Sequence, residues 1–146
     1  MHINIGSIVK IRNICFKDGI VDHSYKVGRP CVFIGEVDEK MYFIPLSHME
    51  KSKNYESIMP NDFNNLRKPS QINVRNVIEK DLFYPEITGE LFDEELEKIF
   101  NSIKKYYKEI KTEKVEKVLL LADNYFKCKY VDDDSNSLKK DDENIK

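Results

Sequence analysis

The sequence predicts an α+β protein: a small β-barrel of short strands, closed by C-terminal helices and followed by a disordered acidic tail. Up to about residue 87 the apolar residues form short runs or alternate with polar ones, as in buried and half-buried strands. From Asp93 the period becomes that of an amphipathic helix. From Val131 onward the chain is Asp, Ser, Asn and Lys with scarcely any apolar residue, too little to pay the entropy of folding. One domain over residues 1–130 and a tail over 131–146 are expected, with no internal repeat.

Gly6-Ser7-Ile8-Val9-Lys10-Ile11-Arg12 alternates Ile and Val with cations and predicts an opening strand with one buried face. Residues 13–26 predict a polar loop with a turn at Lys17-Asp18-Gly19. Tyr25 to His48 is the organising stretch. Cys31 to Ile34 is a strand buried on both faces, Gly35 to Lys40 a polar, acidic link, and Met41 to Ile44 a second strand that Pro45 should end. Antiparallel pairing would bring Arg29, just before the first strand, close to Ser47 and His48, just after the second.

Met49 to Gln71 is rich in Lys, Asn, Ser and Pro, interrupted by Tyr55 and Phe63. It is either a surface excursion pinned by its aromatics or an RNA-contacting loop, in which cations meet phosphates and rings stack on bases. Ile72 to Ile78 alternates as a strand, with Arg75 pointing away from Ile72 and Val74. Asp81 to Ile87 predicts a short strand ending in a turn at Thr88-Gly89. Leu96, Ile99, Phe100, Ile103, Tyr106 and Tyr107 form a helical stripe after acids in the first turn. A second helix is expected over Lys114 to Phe126, facing inward through Val115, Val118, Leu119, Ala122 and Phe126.

Of 146 residues, 40% are hydrophobic and 34% charged, the balance of a soluble globular protein. No apolar run approaches the roughly 20 residues that span a bilayer, and Met1 to Gly6 lacks the pattern of a secretory signal. A cytoplasmic protein with no membrane partner is expected. Cys15, Cys31 and Cys128 are odd in number and far apart, which indicates neither a zinc site nor a disulfide framework. The net charge is -2, yet residues 1–80 hold 12 Lys and Arg against 9 Asp and Glu. The N-terminal part is mildly basic, as an RNA-binding surface or an ordinary solvated one would be.

The histidines are His2, His23 and His48, with no metal-binding spacing, and the five glycines form no phosphate-cradling loop. No metal or cofactor is expected. Metal-free cleavage of RNA needs less, because the 2′-hydroxyl is itself the nucleophile. The protein must neutralise the phosphate, orient it and move protons. Arginine's planar fork suits the first task, a neighbouring hydroxyl the second, and a histidine the third. Arg29, Ser47 and His48 supply that set. By spacing alone they also read as a strand-end cation, a turn residue and a bystander.

Gly6-Ser7-Ile8-Val9-Lys10-Ile11 resembles the opening Gly-Asp-Ile-Val strand of MazF/PemK-type toxins. Gly28-Arg29-Pro30-Cys31-Val32-Phe33 resembles their Arg-Pro-(apolar)3 strand, and Phe43-Ile44-Pro45-Leu46-Ser47 their Val-Pro-(Leu/Ile)-(Thr/Ser) strand end. Gln71-Ile72-Asn73-Val74-Arg75-Asn76-Val77 is similar to a later Gln-(Ile/Val)-Arg-(Thr/Ser)-Ile element, followed by an acid-rich helix like Phe92 to Tyr107. The resemblance implies an SH3-like barrel of MazF/PemK/CcdB type, commonly a homodimer. It implies the toxin of a toxin–antitoxin system, a metal-independent endoribonuclease (mRNA interferase) that leaves 2′,3′-cyclic phosphate and 5′-hydroxyl ends on single-stranded RNA. By position Arg29 matches the catalytic arginine and Ser47 the catalytic Thr/Ser, with His48 beside them, while Lys26, Lys51, Lys53 and Arg75 are expected to contact RNA. The chain lacks the Gly-rich, acid-bearing loop that many members carry before that arginine. The loop with Lys51 and Lys53 and the extra helix also resemble ToxN-type toxins, so the implied antitoxin is a protein or a small RNA. The alternative is a non-catalytic SH3-like module that binds a protein or nucleic acid.

Overall fold

A computed structural model of the protein describes residues 3–12, 28–48, 56–109, 114 and 116–128. The fold is α+β, a curled antiparallel sheet of seven strands with two helices against one face. The strands are β1 (Ser7–Ile11), β2 (Arg29–Val37), β3 (Lys40–His48), β4 (Ser57–Ile58), β5 (Ser70–Ile72), β6 (Ile78–Asp81) and β7 (Ile87–Glu90). Helix α1 is Asp93–Glu109, and residues 116–128 form α2. The sheet order is β4-β5-β3-β2-β1-β7, and β6 pairs with the other half of β3. The expected loop over residues 13–26 and the tail over 131–146 lie outside the described residues. Among the described residues, no helix is long and apolar enough to cross a membrane.

The central hairpin is longer and tighter than the sequence suggests. Only Asp38 and Glu39 turn between β2 and β3, both with positive φ (53° and 63°). Two such residues match the right-handed twist of the strands they join. The strands then carry apolar residues to both faces. Val32, Ile34, Tyr42, Ile44 and Leu46 join α1 and α2 in the main core. Cys31, Phe33, Met41 and Phe43 join Val9, Ile11 and Ile78 in a second cluster on the far face.

Pro45 does not end β3; the strand runs through it to His48. On its outer edge β3 pairs with β6 over Lys40–Phe43 and with β5 over Leu46–His48. Pro45 falls in the interval, and its carbonyl accepts the Asn73 N–H at 3.1 Å. In a strand a residue's N and O face the same neighbour, so the missing N–H falls where no ladder bond is due.

Two further expectations are corrected. Residues 72–78 are not one strand: β5 stops at Ile72 and a 3₁₀ turn over Val74–Asn76 leads into β6. Asn73, with φ -96° and ψ 76°, takes the chain out of the ladder, and its Oδ1 accepts from Asn76 Nδ2 at 3.1 Å. Thr88-Gly89 lies inside β7 and is not a turn. Gly89 is there for proximity, since a Cβ on it would sit 2.4 Å from the Asn64 carbonyl oxygen. The Asn64 side chain, itself buried, accepts from the N–H groups of Asn61 and Leu66 and donates to the Met59 carbonyl. These bonds fold the loop on itself. The Phe63 carbonyl, which accepts the Glu90 N–H at 3.0 Å, and the Asn65 amide, which donates to the Thr88 carbonyl at 2.6 Å, tie it to β7.

The helices follow the predicted period. Leu96, Ile99, Phe100, Ile103 and Tyr106 of α1 are buried, with Tyr107 partly so. Glu95, in the first turn, accepts the Phe92 N–H at 2.9 Å, as in a capping box. In α2 the inward residues are Val118, Leu121 and Ala122, whereas Leu119 and Phe126 are partly exposed. Leu121 packs onto Gly35 at a β-bulge in β2, where a Cβ would meet its Cδ2 at 2.5 Å. Val115 lies outside the described residues.

Candidate functional site

The register of the central hairpin builds the site. Phe33 faces Phe43, Val32 faces Ile44 and Cys31 faces Pro45. Extended by two residues, this register sets Arg29 opposite Ser47. Directly opposed residues point to the same face of a sheet, and here they touch. Arg29 Nη1 donates to Ser47 Oγ at 3.1 Å and to the Leu46 carbonyl at 3.3 Å. The Arg29 carbonyl in turn accepts from the Cys31 thiol at 3.3 Å. Both ends of the residue are thus held, and the guanidinium plane is fixed before any ligand arrives.

The same row continues outward. Ser47 pairs with Gln71 of β5, and Gln71 pairs with Ser57 of β4. On the inner side Arg29 pairs with Ile11 of β1. Arg29, Ser47, Gln71 and Ser57 therefore form a polar line across four strands on the far face. Arg29, Ser47 and Ser57 are partly exposed, while Gln71 is only 4% exposed. The row behind it, with Val9 and Cys31, is buried and apolar. An apolar wall behind charged and polar groups lowers the local dielectric and strengthens their interaction with an anion.

Gln71 and Ser57 were not singled out from sequence. Gln71 was visible only as part of a motif, and its meeting with Ser47 depends on the path that brings β5 back to β3. A glutamine amide both donates and accepts, so Gln71 can hold a phosphate oxygen or a hydroxyl and also orient Ser47. On the opposite face, Lys10 pairs with Pro30, next to Arg29. Lys10 is exposed, but partial desolvation still pulls its ammonium below its ordinary pKa, the Arg67 cation pulls it further down, and the Cys31 sulfur works the other way.

The remaining candidates divide. His48 is the last residue of β3 and its backbone pairs with Ser70, but its side chain lies outside the described residues. Lys26, Lys51 and Lys53 also lie outside them. Arg75 is exposed on the 3₁₀ turn, its guanidinium 5.9 Å from the centre of the Tyr106 ring of α1. It belongs to the helix face and does not join the Arg29–Ser47 row. Among the described residues, no three His, Cys, Asp or Glu side chains converge as a metal ion would require.

This arrangement offers a preorganised cation and an aligned hydroxyl at the rim of an apolar sheet face, which suits binding and polarising an oxyanion. Compared with protein-family models and with curated proteins, the chain matches none.

Proposed function

We propose that the protein is a metal-independent endoribonuclease acting on single-stranded RNA, the toxin of a toxin–antitoxin pair with a MazF/PemK-like, SH3-type barrel. The observation that carries this is the 3.1 Å contact between Arg29 and Ser47. These are the two residues that the family resemblance assigns to catalysis, and they are 18 positions apart in the chain.

In this reaction the substrate's 2′-oxygen attacks the adjacent phosphorus, a new 2′-O–P bond forms and the P–O5′ bond breaks. The 2′ proton leaves and a proton reaches the departing 5′-oxygen, giving a 2′,3′-cyclic phosphate and a 5′-hydroxyl. Arg29 stabilises the charge that builds on the equatorial oxygens, and Ser47 orients the phosphate. His48, next along the chain, exchanges protons near neutral pH. Gln71 positions Ser47 or a phosphate oxygen. The protein acts as a homodimer, and its inhibitor is a cognate antitoxin, a protein or a small RNA of the kind that restrains ToxN-type toxins.

The test is incubation of purified protein with several long single-stranded RNAs in EDTA, followed by mapping of the termini. Discrete cuts bearing cyclic phosphate and 5′-hydroxyl ends are expected. Intact RNAs together with normal growth on overproduction would overturn the proposal in favour of a non-catalytic binding module.

A further inference from the structure

A cleft of about 700 Å³ opens on the helix face, between α1 and the segment from β5 through the 3₁₀ turn. Its volume falls in the range of small-molecule sites. The floor is apolar: Ile72, Val74 and Tyr106 line it and are buried. Arg75 lies over the Tyr106 ring at 5.9 Å, so an aromatic plane and a guanidinium plane border the same space. The wall is one face of α1, where Lys98, Asn101, Ser102 and Lys105 recur every three or four residues. Three cations (Arg75, Lys98 and Lys105) line the cleft against two carboxylates, Glu56 and Glu109.

Ser102 donates its hydroxyl hydrogen to the Lys98 carbonyl at 2.8 Å. Toward the cleft it therefore presents lone pairs, while Asn101 offers both a donor and an acceptor. A planar group stacked on the exposed Arg75 guanidinium, read by an amide and a hydroxyl acceptor and carrying an anion to two lysines, has the chemistry of a nucleotide. Ser102 would favour bases with an exocyclic amine.

The cleft lies on the opposite face of the sheet from the Arg29–Ser47 row, and both reach its β4 edge. Gln71 and Ile72 are successive residues of β5, one in the row and the other in the cleft floor. Glu56 lines the cleft and Ser57, next to it, belongs to β4 at the edge of the sheet. A nucleic acid crossing that edge reaches both.

We infer that this cleft binds one nucleotide, its base on the Arg75 guanidinium and its phosphate at Lys98 and Lys105. That this nucleotide flanks the cleaved linkage rests on the ribonuclease reading; the binding itself does not.

The experiment follows backbone amide NMR signals during titration with each 5′-mononucleotide, with the matching nucleosides, with inorganic phosphate, and with a 2′-O-methyl oligonucleotide that cannot be cut. Saturable shifts at Arg75, Asn101, Ser102 and Tyr106 are expected. Affinity should fall roughly tenfold in Lys98→Glu and in Lys105→Glu, whose sites are exposed, as the loss of a charge-assisted contact predicts. Tighter binding of the oligonucleotide identifies the ligand as part of a strand; equal affinity for a mononucleotide identifies a free one. No saturable shift with any of these probes, or shifts that both charge-reversal variants leave unchanged, would overturn the inference. Arg29→Ala separates the two proposals, because it should lose RNA cleavage and keep nucleotide binding.

Discussion

Arg29 Nη1 lies 3.1 Å from the hydroxyl oxygen of Ser47 because a two-residue turn joins β2 to β3 and the bulge between Phe33 and Gly35 then shifts their register by one residue. A one-residue slip of that register would turn one of them to the opposite face of the sheet. The contact is therefore as secure as the apolar pairs behind it, Cys31 with Pro45 and Phe33 with Phe43.

Gln71 shares that row, and its contribution should depend on Ser47. Gln71→Ala is expected to slow RNA cleavage, and Gln71→Ala with Ser47→Ala to be little worse than Ser47→Ala alone. Groups that act as a unit show such non-additivity. Cleavage rates for the two single variants and the double variant check this; independent, multiplying losses would show that Gln71 acts elsewhere.

Ser7 is 1% exposed and its hydroxyl has no hydrogen-bond partner among the described residues. A buried unmet hydroxyl is destabilising, so Ser7→Ala should raise unfolding stability by about 1 kcal/mol. Denaturant melts of the two proteins measure this. A loss of stability would mean that the hydroxyl has a partner in solution.

Gly89 faces the backbone of Asn64, which has no flexible end to move aside. Gly89→Ala should cost about 1–3 kcal/mol through overpacking and a shift of the loop held by Asn64. Gly35→Ala meets only the tip of Leu121, but its φ of 141° adds backbone strain. Pairing it with Leu121→Ala should relieve the clash and leave the strain. Leu121→Ala by itself costs about 2–5 kcal/mol as a buried leucine, so melting temperatures of Gly35→Ala, Leu121→Ala and their double variant separate the clash from the strain.

How much of this was legible in the sequence follows from how local each feature is. The Arg29–Ser47 meeting was legible, because two apolar strands joined by a short acidic segment can pair only antiparallel. The α1 stripe was legible from its period. The continuation to Gln71 and Ser57 was not, since β4 and β5 reach β3 only after the chain has travelled beyond His48. Pro45 misled because its effect depends on which neighbour its nitrogen faces. Arg75 sat in an alternating stretch, and the break at Asn73 that moves it to the helix face leaves no periodic trace.

Lys10 supplies a pH signature. Its folded pKa lies below 10.5, first through partial desolvation and then through Arg67. Between the folded value and 10.5 the unfolded chain holds more protons, so stability should rise with pH through that window. Lys10→Gln should lack this rise and be at least as stable as the wild type at neutral pH. Urea unfolding across alkaline pH tests it, and a less stable Lys10→Gln at neutral pH would contradict the desolvation argument.

The most direct test of the central claim is the single-turnover cleavage rate of one mapped RNA site in EDTA, for wild type, Arg29→Ala, Arg29→Lys and Ser47→Ala. Loss of a preorganised donor should slow the reaction by about 10²–10³-fold in Arg29→Ala. Arg29→Lys should recover little, because an ammonium lacks the planar fork. Ser47→Ala should be slower than wild type, with its melting temperature preserved. An Arg29→Ala protein that is folded and cuts at the wild-type rate would contradict the assignment of the Arg29–Ser47 pair as the catalytic centre.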